Sequence, residues 1–220
     1  MKPHKLTSKS RFEWALESVE NVHNKNAVKV VFDIGSGEEL MRNEITKRGI
    51  TYHSFDLEPK TEQVRKWDVE NPYPYEGKAD VVLLMEVVEH FNNPWMSIKN
   101  ISSVINPGGY LILTTPNPEW SDSRLNLLSQ GKLTMFKEKD LRVNHHVFTP
   151  WYHIVEKLLQ DNGFEIEEYA SLYGKTKLFE KPLGLKLPVR LIYRGIKAVI
   201  EKKDASSIGN TYGIVAKKIS

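Results

Sequence analysis

The sequence of 220 residues contains no cysteine. Disulfide bonds, thiolate metal sites, iron–sulfur clusters and cysteine nucleophiles are therefore all excluded. Long apolar runs are also lacking, since stretches such as Val81–Met85 fall far short of the ~18 residues that span a bilayer. The N-terminal stretch MKPHKLTSKSRFEW has no apolar segment of the signal-peptide type. Together these absences predict a cytoplasmic globular protein.

A large excess of either charge is lacking too, because 31 basic and 28 acidic side chains give a formal net charge of +3. This excludes a polycation of the histone type. The balance is uneven, since residues 174–203 hold nine Lys or Arg and two Glu. From Pro188 onward this segment has the pattern of a basic amphipathic helix. Three interpretations stay open: packing on the domain or a partner subunit, binding to an anionic membrane surface, or binding to a phosphate-rich substrate such as RNA, a nucleotide-sugar or a lipid-linked glycan.

Short apolar strands alternate with helical patterns from residue 28 to about residue 170. Strands such as Ala79–Met85 are apolar without alternation, which favours a parallel sheet covered on both faces. Helices are predicted over 38–48 and from Thr149-Pro150 onward. The pattern predicts a doubly wound α/β fold that binds ligands at the carboxyl ends of its strands. The predicted organisation is a helical lead-in over 1–27, a catalytic domain over 28–173 and 204–220, and the basic insertion 174–203 between the last two strands.

A glycine turn, Gly35-Ser36-Gly37, ends the first predicted strand and allows a ligand to approach the backbone closely. Asp56 ends the next strand, where a carboxylate can accept both hydroxyls of a ribose. A dinucleotide-binding loop requires a third glycine where Leu40 stands, so nicotinamide binding is disfavoured. Asp33, two residues before Gly35, suits a ligand that carries a cation, such as S-adenosylmethionine.

Five segments of the chain match, in order, the motifs of a known enzyme family. They are Asp33–Gly37, Phe55–Pro59, Trp67–Val69, Asp80–His90 and Asn106–Asn117. The chain resembles class I S-adenosylmethionine-dependent methyltransferases over these motifs, although Glu39 replaces the usual third glycine. The resemblance implies a Rossmann-like, mostly parallel, seven-stranded sheet with helices on both faces, and direct transfer of the methyl group to an aligned nucleophile. The cofactor-binding residues that it implies are Asp33, Gly35, Gly37, Asp56, Leu57, Asp68, Val69 and Met85, with Asp68 at the adenine.

A carboxylate–histidine cluster of Glu86, Glu89 and His90 follows the strand Ala79–Met85. If a helix begins there, this spacing places all three side chains on one face. Two carboxylates so close repel unless a cation lies between them, which favours a site for Mg²⁺, Mn²⁺ or Zn²⁺. The pair His145-His146 offers a further ligand.

The cluster resembles the Glu-x-x-Glu-His motif of ubiquinone-pathway O-methyltransferases and of small-RNA 3′-terminal 2′-O-methyltransferases. That resemblance implies Glu86, Glu89, His90 and His146 as metal ligands and a substrate with adjacent hydroxyls. Many methyltransferases of this class carry the motif without a demonstrated metal. In that alternative the first Glu lines the cofactor pocket, and His90 or His146 acts as the general base.

The predicted function is O-methylation of a small metabolite or sugar hydroxyl, with His90, His146 and Glu86 as catalytic residues. Acceptors of the small-molecule or glycan type are expected. Nucleic acid is disfavoured, because the chain outside 174–203 is mildly acidic and short. Two alternatives remain: an RNA 2′-O-methyltransferase, and a non-catalytic adaptor or membrane-docking module with the same fold.

Overall fold

The computed structural model describes residues 4–172 and 187–219, and a single eight-stranded sheet forms its centre. The strands across the sheet have the order β1-β7-β8-β6-β5-β2-β3-β4. All pairings are parallel except those of β8, which is antiparallel to β6 and β7. The strands are β1 His4–Thr7, β2 Val30–Ile34, β3 Thr51–Asp56, β4 Arg65–Lys66, β5 Ala79–Met85, β6 Ile105–Pro116, β7 Phe164–Leu172 and β8 Thr211–Lys218.

Helices cover both faces of this sheet, which confirms the predicted doubly wound α/β fold. They are α1 Arg11–Asn26, α2 Arg42–Thr46, α3 Pro94–Ser103, α4 Ser121–Gln130, α5 Glu138–Asn144, α6 Tyr152–Asp161 and α7 Leu187–Lys203. Short 3₁₀ turns occur at Val88–His90 and Ala205–Ser207. The first helix begins with a capping box, in which the Ser10 and Glu13 side chains each accept from the other residue's backbone N–H.

Two hydrophobic cores lie on opposite faces of the sheet. In β5, Val82 and Leu84 pack on the face that carries α3 and α6, whereas Val81 and Leu83 pack on the face that carries α1 and α2. Because both sets of side chains are buried, the strand is apolar without alternation from Val81 to Met85.

The sheet has eight strands rather than the seven expected. Within the predicted helical lead-in, His4–Thr7 forms β1 and pairs with β7. The two-residue β4 pairs with the end of β3. Both are short edge strands formed by backbone pairing, with no apolar pattern to indicate them in the sequence.

Two predicted helices differ from the structure near the site. The helix predicted over 38–48 is reduced to α2, Arg42–Thr46, because Glu39 takes a left-handed conformation with φ +55° before it. The segment Glu86–His90 is not a helix with three aligned side chains. Only Val88–His90 forms a 3₁₀ turn, and Glu86 precedes that turn with φ +59°.

The basic segment predicted over 174–203 is described only in part, because residues 173–186 lie outside the described residues. Its second half is α7, Leu187–Lys203, which contacts α4. Within the part of the chain that the structure describes, no helix is long and apolar enough to cross a membrane.

Candidate active site

The carboxyl ends of β5, β2 and β3 lie side by side, and a cavity of about 640 Å³ opens at this edge. Open α/β sheets bind ligands in this position. Five of the eight predicted cofactor-binding residues line the cavity. The lining is Ile34, Gly35, Asp56, Leu57, Glu58, Trp67, Asp68, Val69, Glu70, Glu86, Val87, His90, Phe91, Asn92, His145 and Val147.

Two carboxylates on one side of the cavity are held in place by backbone and side-chain donors. Asp56 Oδ2 accepts from Gly37 N at 3.1 Å, and Oδ1 accepts from Glu58 N at 3.0 Å. Asp68 accepts from the amide groups of Glu70 and Asn71 at 3.0 and 2.7 Å. These bonds fix the carboxylates at the positions where the motifs place the ribose and adenine partners.

The glycine turn brings the backbone of β2 against the end of β5. Gly35 has φ +70°, and a Cβ built on it would lie 2.4 Å from Val87 Cγ2. The N–H groups of Gly35 and Ser36 donate to the Phe55 carbonyl at 2.8 and 3.2 Å. Only glycine therefore fits at residue 35, whereas Gly37 has φ +50° and open space around it.

Glu39 occupies the position of the usual third glycine and keeps a left-handed backbone. Its carboxylate accepts from the guanidinium of Arg42 and from Ser54 Oγ. These two partners hold the pKa of Glu39 below its usual value, although burial opposes them. An ion pair thus stabilises a conformation that glycine adopts without strain.

Asp33, predicted to face a cationic ligand, is not part of the cavity lining. Its side chain is 3% exposed, and Tyr52 donates a hydrogen bond to Oδ2. Burial raises the pKa of Asp33 to about 7, although the hydrogen bond from Tyr52 lowers it. Gly37 and Met85 also lie outside the lining, and Met85 packs on the α1 face of the sheet.

Three of the four predicted metal ligands come together beside this cavity. Ligand atoms of Glu89, His90 and His146 all lie within 4.8 Å of one another. The rings of His90 and His146 are 5.1 Å apart between centroids and inclined at 75°. An oxygen and two imidazole nitrogens so placed suit Mn²⁺ or Zn²⁺.

Glu89 is buried, with 1% of its surface exposed. Thr115 Oγ1 donates to its Oε2 at 2.8 Å, and its backbone carbonyl accepts from Phe148 N at 3.0 Å. Burial and the charge of Glu86 raise the pKa of Glu89 to about 8. A cation beside this carboxyl would favour its ionised form.

His146 is oriented by the loop between α4 and α5. Its Nδ1 lies 2.7 Å from the Met135 carbonyl, so that nitrogen carries the proton and Nε2 keeps its lone pair. Metal-binding histidines commonly have such a carbonyl partner. Of the two neighbouring histidines, His146 belongs to the three-residue group, whereas His145 lines the cavity outside it.

His90 and Glu86 both line the cavity. Partial burial and the nearby His146 lower the pKa of His90, against backbone hydrogen bonds with His145 and Asn144. Glu86 does not join the three-residue group, although it lines the cavity. Burial raises the pKa of Glu86, and the charge of Arg11 only partly offsets this.

Several residues of the site were not predicted from the sequence. Glu70 lines the cavity and accepts from the backbone N–H groups of Asn92 and Asn93 at 2.7 and 3.0 Å. Thr115, the partner of Glu89, lies in a predicted strand, where its role gave no sequence signal. Trp67 belongs to a matched motif, and its position beside Asp68 could have indicated it.

Comparison with known proteins identifies the family. A family model described as a methyltransferase domain matches residues 11–169. A ubiquinone biosynthesis O-methyltransferase from Rickettsia canadensis is 26% identical over 175 residues, which cover 74% of this chain and 73% of that protein.

Solved structures share the fold. A methyltransferase from Archaeoglobus fulgidus superposes with a TM-score of 0.61 at 20% identity, with 95% of each chain covered. Magnesium protoporphyrin IX methyltransferase from Synechocystis PCC 6803, solved with bound S-adenosylhomocysteine, gives a TM-score of 0.59 at 14% identity, with 94% of this chain and 84% of that chain covered. The chain belongs to the methyltransferase domain family and is an S-adenosylmethionine-dependent methyltransferase.

Proposed function

We propose that this methyltransferase acts on a hydroxyl oxygen of a small metabolite or sugar that carries adjacent hydroxyls, assisted by a divalent cation. The observation that carries the proposal is the group of Glu89, His90 and His146 beside the cofactor cavity. The similar ubiquinone biosynthesis O-methyltransferase supports an oxygen acceptor.

The chain's own residues supply most of what the reaction requires. Asp56 and Asp68, which line the cavity, would hold the ribose and adenine of the cofactor and so orient its sulfonium methyl group toward the acceptor. The transfer breaks the methyl C–S bond, forms a C–O bond and releases S-adenosylhomocysteine and the hydroxyl proton. A cation held by Glu89, His90 and His146 would supply Lewis-acid activation of the hydroxyl. Without a metal, His146 would accept that proton at Nε2, since its Nδ1 is bonded to the Met135 carbonyl.

The pair His145-His146 allows a matched test of the metal site. The substitution His146→Asn keeps a donor for the Met135 carbonyl and removes Nε2, so we expect Mn²⁺ affinity to fall at least about tenfold. The control His145→Asn changes the neighbouring residue, and asparagine tolerates its left-handed φ of +56°. Calorimetric titration of each variant with Mn²⁺ measures the difference. Equal Mn²⁺ affinity in both variants would remove the metal from the proposal.

We also propose that α7 associates with an anionic membrane surface. Ile192, Ile196 and Val199 follow one another at helical spacing and are 64%, 46% and 55% exposed. The exposed cations Arg194, Lys202 and Lys203 lie on the same helix. Apolar area together with positive charge is the combination that binds anionic lipid. The RNA alternative is distinguished by its steep dependence of binding on salt.

A further inference from the structure

His146 can act in either of the proposed ways, as a metal ligand or as a base, only if its Nε2 carries no proton. Its Nδ1 lies 2.7 Å from the Met135 carbonyl, which holds the ring proton at that nitrogen. The ring also lies 5.7 Å from the ring of Phe136, measured between centroids. Both contacts come from the loop over 131–137, which joins α4 to α5. The state of His146 therefore depends on what holds this loop in place.

The helix that follows the loop offers it no buried support. No residue of α5, which the structure describes in full, is buried. Its Leu141 and Val143 side chains are 47% and 65% exposed. The backbone of Met135 is left-handed with φ +71°, a conformation that is unfavourable for methionine and persists only where the surroundings enforce it. The bonds on the α4 side of the loop supply this restraint.

A buried serine on α4 bonds the loop directly before Met135. Ser123 is fully buried, and its Oγ accepts a hydrogen bond from Thr134 N at 3.0 Å. This bond fixes the position of Thr134 and so restricts the direction in which the next carbonyl, that of Met135, can point. A second bond joins Asn126 Nδ2 to the Lys132 carbonyl at 2.8 Å, at an exposed position.

The first turn of α4 is a firm support for this serine, because it is bonded to the C-terminal part of the chain. Ser121 Oγ donates to the Glu201 carboxylate at 2.6 Å. Arg124, the residue after Ser123, pairs with Asp204 at 2.6 Å. Both contacts lie within two residues of Ser123, so its Oγ has a fixed position from which to hold the loop.

We propose that Ser123 is a positioning residue for His146. It fixes the loop through Thr134, and the Met135 carbonyl then holds the imidazole as the Nδ1–H tautomer. This rests on the proposed function, in which His146 binds the cation or accepts the proton. Without Ser123 Oγ the carbonyl is no longer held, and the imidazole distributes its proton over both nitrogens. Molecules with a proton on Nε2 can neither bind a cation nor accept a proton there.

The test compares Ser123→Ala with the matched control Ser102→Ala. Ser102 is also a buried helical serine, and its Oγ makes a 3.0 Å bond to the Asn162 carbonyl, but it lies on α3 outside the cavity lining. NMR of the histidine ring nitrogens in the protein free of cofactor and metal measures the tautomer of His146, and the spectrum of His146→Asn assigns its signals. We expect the Nδ1–H tautomer in the wild-type protein and in Ser102→Ala, and a mixture of tautomers in Ser123→Ala.

Calorimetry supplies the second measurement on the same variants. We expect Mn²⁺ affinity to fall about threefold or more in Ser123→Ala alone, because only the molecules with a free Nε2 lone pair bind the cation fully. The affinity for S-adenosylhomocysteine should stay unchanged in both variants, which also reports that they are folded.

The tautomer measurement separates this proposal from the proposed function. If the wild-type protein binds no Mn²⁺ while Ser123→Ala still changes the tautomer, the metal site fails and the positioning role holds. If Ser123→Ala keeps the wild-type tautomer and Mn²⁺ affinity, or if Ser102→Ala changes them equally, Ser123 does not position His146. An Nε2–H tautomer in the wild-type protein would overturn the proposal without any variant. Should Ser123→Ala fail to bind S-adenosylhomocysteine, Ser123→Cys is read instead, since a thiol is a weak acceptor, and an unchanged tautomer there counts against the proposal.

Discussion

Asp33 and Glu86 are carboxyl groups at the ends of neighbouring strands, yet their surroundings differ. Asp33 is enclosed beneath the glycine turn with Tyr52 as its donor, whereas Glu86 lines the cavity beside Thr114 and Glu89. The sequence predicted that acidic groups would gather here, because strand ends carry them. It could not predict which of them lines the cavity, since that depends on the φ of +59° at Glu86 and the hydroxyl of Tyr52.

The surroundings of Asp33 predict a pH dependence of stability. Burial raises the pKa of Asp33 from 3.8 to about 7, and the charges of Glu39 and Asp56 add to the effect. Between those pH values the unfolded chain loses a proton that the folded chain keeps, so the free energy of unfolding falls as pH rises. Asp33→Asn keeps an oxygen that accepts from Tyr52 but does not titrate. Its free energy of unfolding therefore lacks this decrease with pH.

Relative to wild type, Asp33→Asn should therefore gain stability as the pH rises from about 4 to about 7, by up to about 4 kcal/mol for the full shift. Urea denaturation of the cofactor-free proteins across this range measures it. Other titrating groups are common to both proteins and cancel in the comparison. Two curves that remain parallel would show that Asp33 does not have a raised pKa.

At the scale of the element, the glycine turn makes a second prediction. Gly35→Ala requires a left-handed alanine whose Cβ is 2.4 Å from Val87 Cγ2, whereas Gly37→Ala requires only the left-handed backbone. The backbone cost is about 1–2 kcal/mol for either. We expect Gly35→Ala to be the more destabilising by at least about 1 kcal/mol and to weaken S-adenosylhomocysteine binding, because Val87 must move. Similar unfolding midpoints for both variants would contradict the close packing of the turn on Val87.

A third prediction concerns the exposed face of α7. Val199→Asp replaces an apolar side chain that is 55% exposed, and Val143→Asp on α5 makes the same change at a side chain 65% exposed. We expect Val199→Asp alone to reduce co-sedimentation with phosphatidylglycerol vesicles several-fold, since it removes apolar area and adds a negative charge. Equal binding of both variants, or binding to neutral vesicles as strong as to anionic ones, would exclude this surface as the membrane contact.

Elements with a clear hydrophobic or capping pattern were predicted well from the sequence. Short elements without such a pattern were not. The apolar strands β2 and β5 and the capped helix α1 follow directly from hydrophobic runs and a capping box. Edge strand β1 has four residues and no such pattern, so only its pairing with β7 defines it. The Glu86–His90 segment was predicted as a helix because spacing alone cannot distinguish an α-helix from a short 3₁₀ turn.

At the scale of the whole molecule, the strand order determines which residues meet at the candidate active site. Parallel strands β3, β2 and β5 bring their carboxyl ends together, which the alternation of strands and helices predicted. His146 was predicted from the resemblance to the Glu-x-x-Glu-His enzymes and not from the pattern of strands and helices. Its position depends on the path of the chain between α4 and α5, where the Met135 carbonyl orients the imidazole across more than ten residues of sequence.

The central claim, metal-assisted transfer to an oxygen, is tested most directly by methyl transfer to a catechol. The protein is first treated with a chelator, and transfer from labelled S-adenosylmethionine is then measured as Mn²⁺ is added back. We expect transfer to be lost after chelation, to return in proportion to the Mn²⁺ bound, and to be weaker with a phenol that lacks the second hydroxyl. Full transfer in the presence of chelator would contradict the role assigned to Glu89, His90 and His146.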